Sequence, residues 1–302
     1  MDAYEEIRSR AGEFDLVVCS GGDGTLNESV NGIIDSGTDT RLGYIPSGTV
    51  NDFAVSLGIP KDMPQAAEIA VTGREFPCDI GMFNGRNFNY VAAFGLFTEV
   101  SYSTSQQKKN IFGHLAYVME GAKSLSSVMS YRLRIEHDGE VIEDDFIFGM
   151  VSNSMSIGGM KGFIGEVSLD DGLFEASFIR MPTTTTELNR TLKDLARQDE
   201  NSEYFYTFRA KNIRITSEEL VSWTLDGEFG GHVKNAGKKA STGDPMPALS
   251  GQLFPESMEK YCHLLTGTGL GQFQIPQFVS QQNPPLPRPL HRFFCVGSRG
   301  SD

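Results

Sequence analysis

A glycine-rich turn between a short apolar run and an amphipathic run constrains this chain more than any other feature of its sequence. Residues 16–19 read Leu-Val-Val-Cys, typical of a buried strand, and residues 20–25 read Ser-Gly-Gly-Asp-Gly-Thr. In the stretch 26–34 that follows, the apolar residues share one helical face. A second apolar run, 42–45, leads into the turn 46–48. Strand–turn–helix units in this order predict a parallel sheet covered by helices.

Thr49 is predicted to cap a helix that runs through Ala54 and Leu57. A further helix is predicted over residues 2–11.

The pattern changes near Arg74, where strand-like runs begin to dominate. The predicted strands cover residues 87–94, 131–137, 145–152, 173–180, 204–215 and 221–226. Asn84-Gly85 and Asp138-Gly139 are hairpin signals, and one helical stretch lies at about 110–127. We therefore predict an α/β domain over residues 1–77 and a mostly antiparallel β domain over residues 78–231.

Residues 232–302 form a third regime. Eight of the 13 prolines lie in this range, and hydrophobic periodicity disappears. Such composition predicts a disordered tail outside the folded core.

Composition limits the possible partners and location. The net charge of −13 argues against a nucleic-acid partner and against tight, non-specific adhesion to anionic lipid. No apolar run approaches the roughly 18 residues of a membrane span, and the acidic N-terminus is unlike a signal peptide. The four cysteines lack metal-ligand spacing, so we expect reduced thiols in a cytoplasmic protein.

The turn at residues 20–25 has the chemistry of a phosphate site. Its glycines let the backbone approach a ligand closely, and the helix N-terminus behind them suits an anion. Asp23 adds a carboxylate that could hold Mg²⁺ or its waters. A plain strand–helix turn is the alternative, but the Gly-Gly-Asp-Gly-Thr sequence in this context favours nucleotide phosphate.

The Gly-Gly-Asp-Gly-Thr motif is shared by several kinase families, including NAD kinases and ATP-type phosphofructokinases. Three further segments narrow the choice among these families. Residues 45–54, Ile-Pro-Ser-Gly-Thr-Val-Asn-Asp-Phe-Ala, resemble a segment of the diacylglycerol-kinase catalytic domain. Residues 168–174 contain Leu-Asp-Asp-Gly-Leu-Phe, and residues 223–228 end in Asp-Gly-Glu. Taken alone, either segment could be an ordinary turn. Together, the four motifs resemble the bacterial soluble diacylglycerol kinase family, which is related to sphingosine and ceramide kinases.

The resemblance implies a nucleotide-binding α/β domain of the NAD-kinase and diacylglycerol-kinase type, followed by a β-sandwich domain. It implies ATP-dependent transfer of the γ-phosphoryl group to a lipid hydroxyl such as that of diacylglycerol, with ATP and Mg²⁺ as cofactors. Carried over by position, the nucleotide contacts are Gly22, Asp23, Gly24, Thr25, Leu26, Asn27, Glu28 and Thr49. The implied structural Mg²⁺ ligands are Asp171 and the carbonyls of Ser168 and Leu173. The implied general base is Glu228, with Asp23 as the second catalytic residue.

The family further implies a lipid substrate met at the membrane surface, by a cytoplasmic protein in transient, peripheral contact. Homodimer formation is left open.

Two alternatives remain: an NAD kinase-like enzyme for a soluble substrate, and a truncated, inactive nucleotide-binding fragment. The second follows from two departures, since the family's first strand and its glycine loop precede the start of this chain, and residues beyond 236 are unlike the family. On this interpretation the sheet exposes an unpaired edge. The chain is then poorly soluble or catalytically silent, with its tail cleaved first by protease.

Overall fold

A computed structural model describes residues 3–49, 51–95, 128–153, 156–157, 160–161, 168–197, 199, 201–233, 251–256, 263–266 and 293–297. The chain divides into two compact units. Unit 1 comprises residues 1–78 with 259–302, and unit 2 comprises residues 79–258. Each unit contains its own sheet and is described by itself.

Unit 1 is built on a five-stranded sheet in the order β18-β1-β2-β17-β3. The strands are β1 (Leu16–Gly21), β2 (Arg41–Pro46), β3 (Arg74–Pro77), β17 (His263–Thr266) and β18 (Phe293–Gly297). Neighbours pair in parallel except β17 and β3, which are antiparallel. The central strands β1 and β2 are almost wholly buried, as expected for strands covered by helices.

Four helices lie in the described part of unit 1: α1 (Ala3–Arg10), α2 (Asp23–Ser36), α3 (Asp52–Ser56) and α4 (Met63–Thr72). A short 3₁₀ turn, Ala11–Glu13, follows α1. Helix α2 contacts α1 and β1, while α4 packs on β2 and β17. The buried face of α2 includes Leu26, Val30 and Ile33, which matches the predicted apolar face.

Three segments of the range predicted as a tail, residues 251–256, 263–266 and 293–297, form strands. β18 pairs in parallel with β1, and Phe294 stacks on Phe14 with ring centroids 5.2 Å apart. β17 inserts between β2 and β3, and β16 (Gly251–Glu256) pairs within unit 2. The pairing of β18 with β1 places β1 inside the sheet rather than at its edge. Residues 234–250, 257–262, 267–292 and 298–302 lie outside the described part of the chain.

Unit 2 is an antiparallel β structure, with strands in the order β15-β14-β6-β8-β7-β13-β16-β4-β5, while β11 pairs with both β8 and β12. These strands, apart from β16, are β4 (Ile80–Phe83), β5 (Arg86–Phe88), β6 (Val91–Gly95), β7 (Tyr131–His137), β8 (Glu140–Ser152), β11 (Phe174–Arg180), β12 (Phe205–Ala210), β13 (Ile213–Ser217), β14 (Val221–Leu225) and β15 (Glu228–Val233). A small hairpin, β9 (Ser156–Ile157) with β10 (Met160–Lys161), and one helix, α5 (Thr185–Arg197), complete the described elements of this unit.

The core of unit 2 is rich in aromatic side chains. Trp223 lies 4.7 Å from Phe83 and 4.9 Å from Phe94, measured between ring centroids, and is fully buried. Phe146 and Phe178 pack in the same cluster. Large buried rings of this kind supply much of the apolar area that stabilises a β fold.

Both predicted hairpins are confirmed. Asn84-Gly85 joins β4 to β5, Asp138-Gly139 joins β7 to β8, and all four residues have positive φ. The predicted helix over 110–127 lies outside the described residues.

Three boundary predictions are wrong. Asn51, not Thr49, occupies the N-cap position of α3. The run 87–94 is two strands rather than one, since residues Asn89 and Tyr90 leave the ladder between β5 and β6. The predicted strand over 204–215 is also two strands, β12 and β13, which pair with different partners.

The predicted fold class, an α/β domain followed by a β-sandwich domain, is confirmed. No helix in the described ranges is long and apolar enough to cross a membrane.

Candidate active site

The two glycine turns of unit 1 touch each other through their backbones. A Cβ atom built on Gly48 would lie 2.5 Å from Cα of Gly22, closer than real Cβ atoms approach other atoms. The amide of Ser47 donates to the carbonyl of Gly21 at 2.9 Å. The parallel pairing of β1 with β2 places the ends of both strands side by side, with Gly21 opposite Pro46. The turns after two neighbouring parallel strands therefore form one continuous backbone surface.

Asp23 joins the first turn to the helix that follows the second. Its Oδ2 accepts a hydrogen bond from the Asp52 amide at 3.2 Å, and its Oδ1 accepts one from the Phe53 amide at 3.3 Å. These amides stand in the first turn of α3, where helical N–H groups have no partner within the helix. The carboxylate predicted to order Mg²⁺ is thus also a helix cap.

Asn51 closes the second turn in a left-handed conformation, with φ 55° and ψ 50°. Its Nδ2 donates to the Gly48 carbonyl at 2.7 Å, and its Oδ1 accepts from the Gly48 amide at 3.0 Å. The buried Tyr44 hydroxyl donates to the Gly21 carbonyl at 3.3 Å and lies 3.4 Å from Oδ1 of Asn51. Burial raises the pKa of Tyr44, so it remains a neutral donor.

The structure separates the eight expected nucleotide contacts into two groups. Gly22, Asp23, Gly24, Thr25 and Thr49 lie on or beside the joined turns. Gly24 and Thr25 belong to the first turn of α2, where backbone amides have no acceptor within the helix. This arrangement fits an anionic phosphate.

The remaining three contacts lie further along α2. Leu26 is buried in the core. The side-chain oxygen of Asn27 accepts a hydrogen bond from Asn31 at 3.0 Å, and Glu28 is exposed. Leu26 could contact a phosphate only through its backbone.

In unit 2, the expected metal ligands lie on the short loop 168–173, which enters β11. Asp79 anchors this loop: its amide donates to the Leu169 carbonyl at 2.7 Å, and its carboxylate accepts from the Gly172 amide at 2.5 Å. Burial raises the pKa of Asp79, and the Gly172 amide opposes that rise. Within the loop, Oδ1 of Asp171 accepts from the Leu173 amide at 3.0 Å.

The loop offers the oxygen donors that Mg²⁺ prefers: a carboxylate from Asp171 and the carbonyls of Ser168 and Leu173. These residues fit such an ion in their chemistry. Oδ2 of Asp171, however, is already in contact with the guanidinium of Arg209. No cluster of three or more His, Cys, Asp or Glu side chains in metal-binding geometry occurs among the described residues.

Arg209 also forms an ion pair with Glu175, whose side chain is buried. Burial raises the pKa of Glu175 to about 7; Arg209 opposes this rise and Asp171 adds to it. Neither residue is predictable from the sequence, since a lone Arg and a lone Glu on separate strands carry no motif.

Glu228, the expected general base, opens β15 directly after a hairpin turn. It is exposed and stands opposite Leu225 in the β14–β15 pair. Asp226 and Gly227 form the turn with φ of 50° and 85°. On the other side of Glu228, the Phe229 carbonyl accepts a hydrogen bond from Arg86 at 2.9 Å.

Asp226 anchors the turn to a distant segment. Its buried carboxylate accepts hydrogen bonds from the amides of Asn89 at 2.7 Å, Tyr90 at 3.0 Å and Val91 at 3.1 Å. Its own amide donates to the Val91 carbonyl at 2.8 Å. These bonds explain why the strand run predicted over 87–94 breaks at Asn89. From the sequence alone Asp226 is an ordinary turn residue, because its burial carries no sequence signal.

Comparison with known proteins agrees with these motifs. Residues 2–83 match the family described as diacylglycerol kinase catalytic domain, and residues 91–241 match the YegS C-terminal NAD kinase beta sandwich-like domain. A diacylglycerol kinase of Bacillus subtilis (strain 168) is 34% identical over 220 residues, which are 72% of this chain and 73% of that protein. A diacylglycerol kinase of Staphylococcus carnosus (strain TM300) is 34% identical over 231 residues, 76% of this chain and 75% of that protein.

A solved structure extends the comparison to the fold. The crystal structure of a Bacillus anthracis str. Sterne protein assigned as a diacylglycerol kinase superposes with a TM-score of 0.68 at 26% identity, covering 88% of this chain and 83% of that chain. The four motifs, the two sheets and these relatives lead to one conclusion: the chain belongs to the bacterial soluble diacylglycerol kinase family.

Proposed function

We propose that this protein is an ATP-dependent lipid kinase that transfers the γ-phosphoryl group of ATP to the hydroxyl of diacylglycerol. The observation that carries the proposal is the joined pair of glycine turns in unit 1, fixed by the carboxylate of Asp23. A backbone surface of this kind binds phosphate without a P-loop lysine.

The nucleotide is assigned to unit 1. Gly22, Gly24 and Thr25 present backbone at the N-terminus of α2, whose dipole favours negative charge. Thr49 adds an exposed hydroxyl next to Gly48. Asp23 joins the first turn to α3 through the amides of Asp52 and Phe53, and its carboxylate would order Mg²⁺ or its waters beside a bound phosphate.

Glu228 in unit 2 is assigned as the general base that takes the proton from the lipid hydroxyl. As a carboxylate it can accept that proton while the lipid oxygen bonds to the γ-phosphorus and the bond from that phosphorus to the β–γ bridging oxygen breaks, releasing ADP. Such a role is worth roughly 10²–10⁴-fold in rate. Asp226 and the Phe229 carbonyl hold the backbone on either side of it. Mg²⁺, when bound, neutralises phosphate charge, and the loop 168–173 has the oxygen donors to hold one such ion.

Diacylglycerol is the proposed substrate because the relatives that are 34% identical to this chain are named diacylglycerol kinase. Such a lipid lies in a bilayer, so the proposal includes peripheral, transient contact with the membrane from the cytoplasm. The net charge of −13 predicts that this contact is not driven by anionic headgroups alone.

The test uses γ-labelled ATP and Mg²⁺ with the full chain and two competing acceptors. One arm offers diacylglycerol in neutral phosphatidylcholine vesicles, and the other offers NAD in solution. We expect label in the lipid fraction and none in NAD. Label in NAD alone would support an NAD kinase-like enzyme, and label in neither, from a folded chain, would support an inactive nucleotide-binding domain.

A further inference from the structure

Arg209 lies between two carboxylates of unit 2. Its Nε donates to Oε1 of Glu175 at 3.1 Å, and a terminal nitrogen contacts Oδ2 of Asp171. Glu175 and Arg209 are direct partners in the β11–β12 pair. The side chain of Glu175 is 4% exposed, against 36% for Arg209 and 27% for Asp171. One guanidinium therefore connects a buried carboxylate to a loop carboxylate at the surface.

Glu175 fixes Arg209 in this position. Its second oxygen, Oε2, is buried with no hydrogen-bond partner among the described residues, and Arg209 provides a side-chain cation for this carboxylate. Removing the partner of a buried charge is strongly unfavourable, whereas moving a surface ion pair costs little. Arg209 is therefore firmly held at Glu175 and more loosely held at Asp171.

Asp171 is also the carboxylate expected to bind Mg²⁺ on the loop 168–173. A divalent cation bound through Oδ2 would share that oxygen with Arg209 or displace the guanidinium, and one bound through Oδ1 would still meet a positive charge close by. Like charges so near each other weaken binding, particularly where one of them is partly buried. In the same position, Arg209 ties the loop to β12 through Asp171 without any metal.

We propose that Arg209 is an internal competitor of the loop's divalent cation: it holds Asp171 when no metal is bound and lowers the affinity of the loop for Mg²⁺. This inference rests on the proposed assignment of Mg²⁺ to Asp171, but not on the identity of the phosphorylated lipid. The competition is specific to the guanidinium, whose planar fork reaches both carboxylates at once.

The test measures metal binding by the full chain directly. Mn²⁺ binding is followed by electron paramagnetic resonance and Mg²⁺ binding by calorimetry, without nucleotide, at fixed salt and pH. The main variant is Glu175→Gln with Arg209→Gln. It removes the guanidinium and the carboxyl group together, so the net charge near the loop changes little and a gain in affinity reports the freed oxygen of Asp171. We expect binding at least about tenfold tighter than in the wild type.

Two variants serve as controls. Asp171→Asn should lose the site, which shows that the measured metal is bound there. Arg134→Gln removes one positive charge, as Arg209→Gln does, from an exposed Arg that also lies between two carboxylates, Glu136 and Glu143. This variant should bind metal as the wild type does. Thermal unfolding checks that each variant is folded.

If the double variant fails to fold, Arg209→Lys replaces it. Lysine keeps the charge at Glu175 but lacks the fork, so it should tighten metal binding by a smaller factor. Unchanged or weaker binding in the folded double variant, or in Arg209→Lys where it replaces that variant, would overturn the proposal, as would wild-type binding that survives Asp171→Asn. Lipid phosphorylation is assayed separately. Metal binding as expected, together with no phosphorylation of lipid, would contradict the proposed kinase function and not the competition by Arg209.

Discussion

The carboxylate of Asp226 accepts a hydrogen bond from the amide of Tyr90 at 3.0 Å, although 136 residues separate the two. The same carboxylate also binds the amides of Asn89 and Val91. Glu228 is two residues from this anchor. The position of the expected general base therefore depends on a contact between distant parts of unit 2.

Substitution of Asp226 should reduce both stability and activity. Asp226→Asn keeps the shape but places an amide NH₂ or a weaker acceptor against three donors, which should cost about 1–3 kcal/mol. The rate of lipid phosphorylation should fall at least about tenfold, because Glu228 loses its fixed turn. Urea unfolding and a vesicle kinase assay measure the two effects. Asp138→Asn is the matched control: Asp138 has φ 45° in a similar hairpin turn but is exposed. Wild-type kinetics in Asp226→Asn would contradict the positioning role.

Asp23→Ala should remove the response to nucleotide together with the cap of α3. The lost cap costs about 0.5–2 kcal/mol, and the shift of the unfolding temperature by Mg-ATP should disappear. Asp62→Ala separates the two effects, since Asp62 caps α4 by accepting from the Gln65 amide at 3.0 Å and lies outside the glycine turns. It should lose similar stability and keep the full Mg-ATP shift. An equal loss of that shift in both variants would show that Asp23 acts only as a cap.

Gly48→Ala should weaken nucleotide binding by forcing the two turns apart. The added Cβ would meet the Gly22 backbone at 2.5 Å and Oδ1 of Asn51 at 2.8 Å. Gly12→Ala is the comparison, because its Cβ would meet only a methyl group of Thr38 at 3.1 Å. Fluorescent ATP-analogue titration should show weaker binding for Gly48→Ala alone. Equal affinities would mean that the turns do not form the phosphate surface.

Phe294→Ala should destabilise unit 1, which tests the pairing of β18 with β1. Phe294 stacks on Phe14, and the guanidinium of Arg10 lies 4.9 Å from its ring centroid. Loss of one aromatic pair and its cation–π partner should cost about 1–3 kcal/mol. Leu220→Ala, at a side chain that is 53% exposed in unit 2, should be near neutral. Hydrogen exchange at β1 should rise only in Phe294→Ala; unchanged protection there would argue against the pairing.

Local patterns predicted much of this fold, because they are written in short stretches of sequence. The apolar face of α2 and the hairpins at Asn84-Gly85 and Asp138-Gly139 follow from periodicity and from residues that tolerate positive φ. The four motifs also led to the family. The site residues assigned by that resemblance stay predictions.

The features of the fold that the sequence did not predict depend on contacts between residues far apart in the chain. The break at Asn89 depends on Asp226, and the cap of α3 depends on Asp23, which lies 29 residues before Asp52. Strands β17 and β18 lack clear periodicity and are defined by their partners in the sheet. Neither kind of contact leaves a local pattern that propensity or periodicity can detect.

The most direct test of Glu228 as the general base of a lipid kinase compares two rates of phosphatidic acid formation. The wild type and Glu228→Gln are assayed in the same diacylglycerol vesicles with Mg-ATP. Glu218→Gln, at an exposed position in unit 2, controls for the loss of one negative charge. We predict a wild-type rate that Glu218→Gln retains and that Glu228→Gln lowers by about two to four orders of magnitude with an unchanged unfolding midpoint. Equal rates in all three proteins, or no labelled lipid from the folded wild type, would contradict the account.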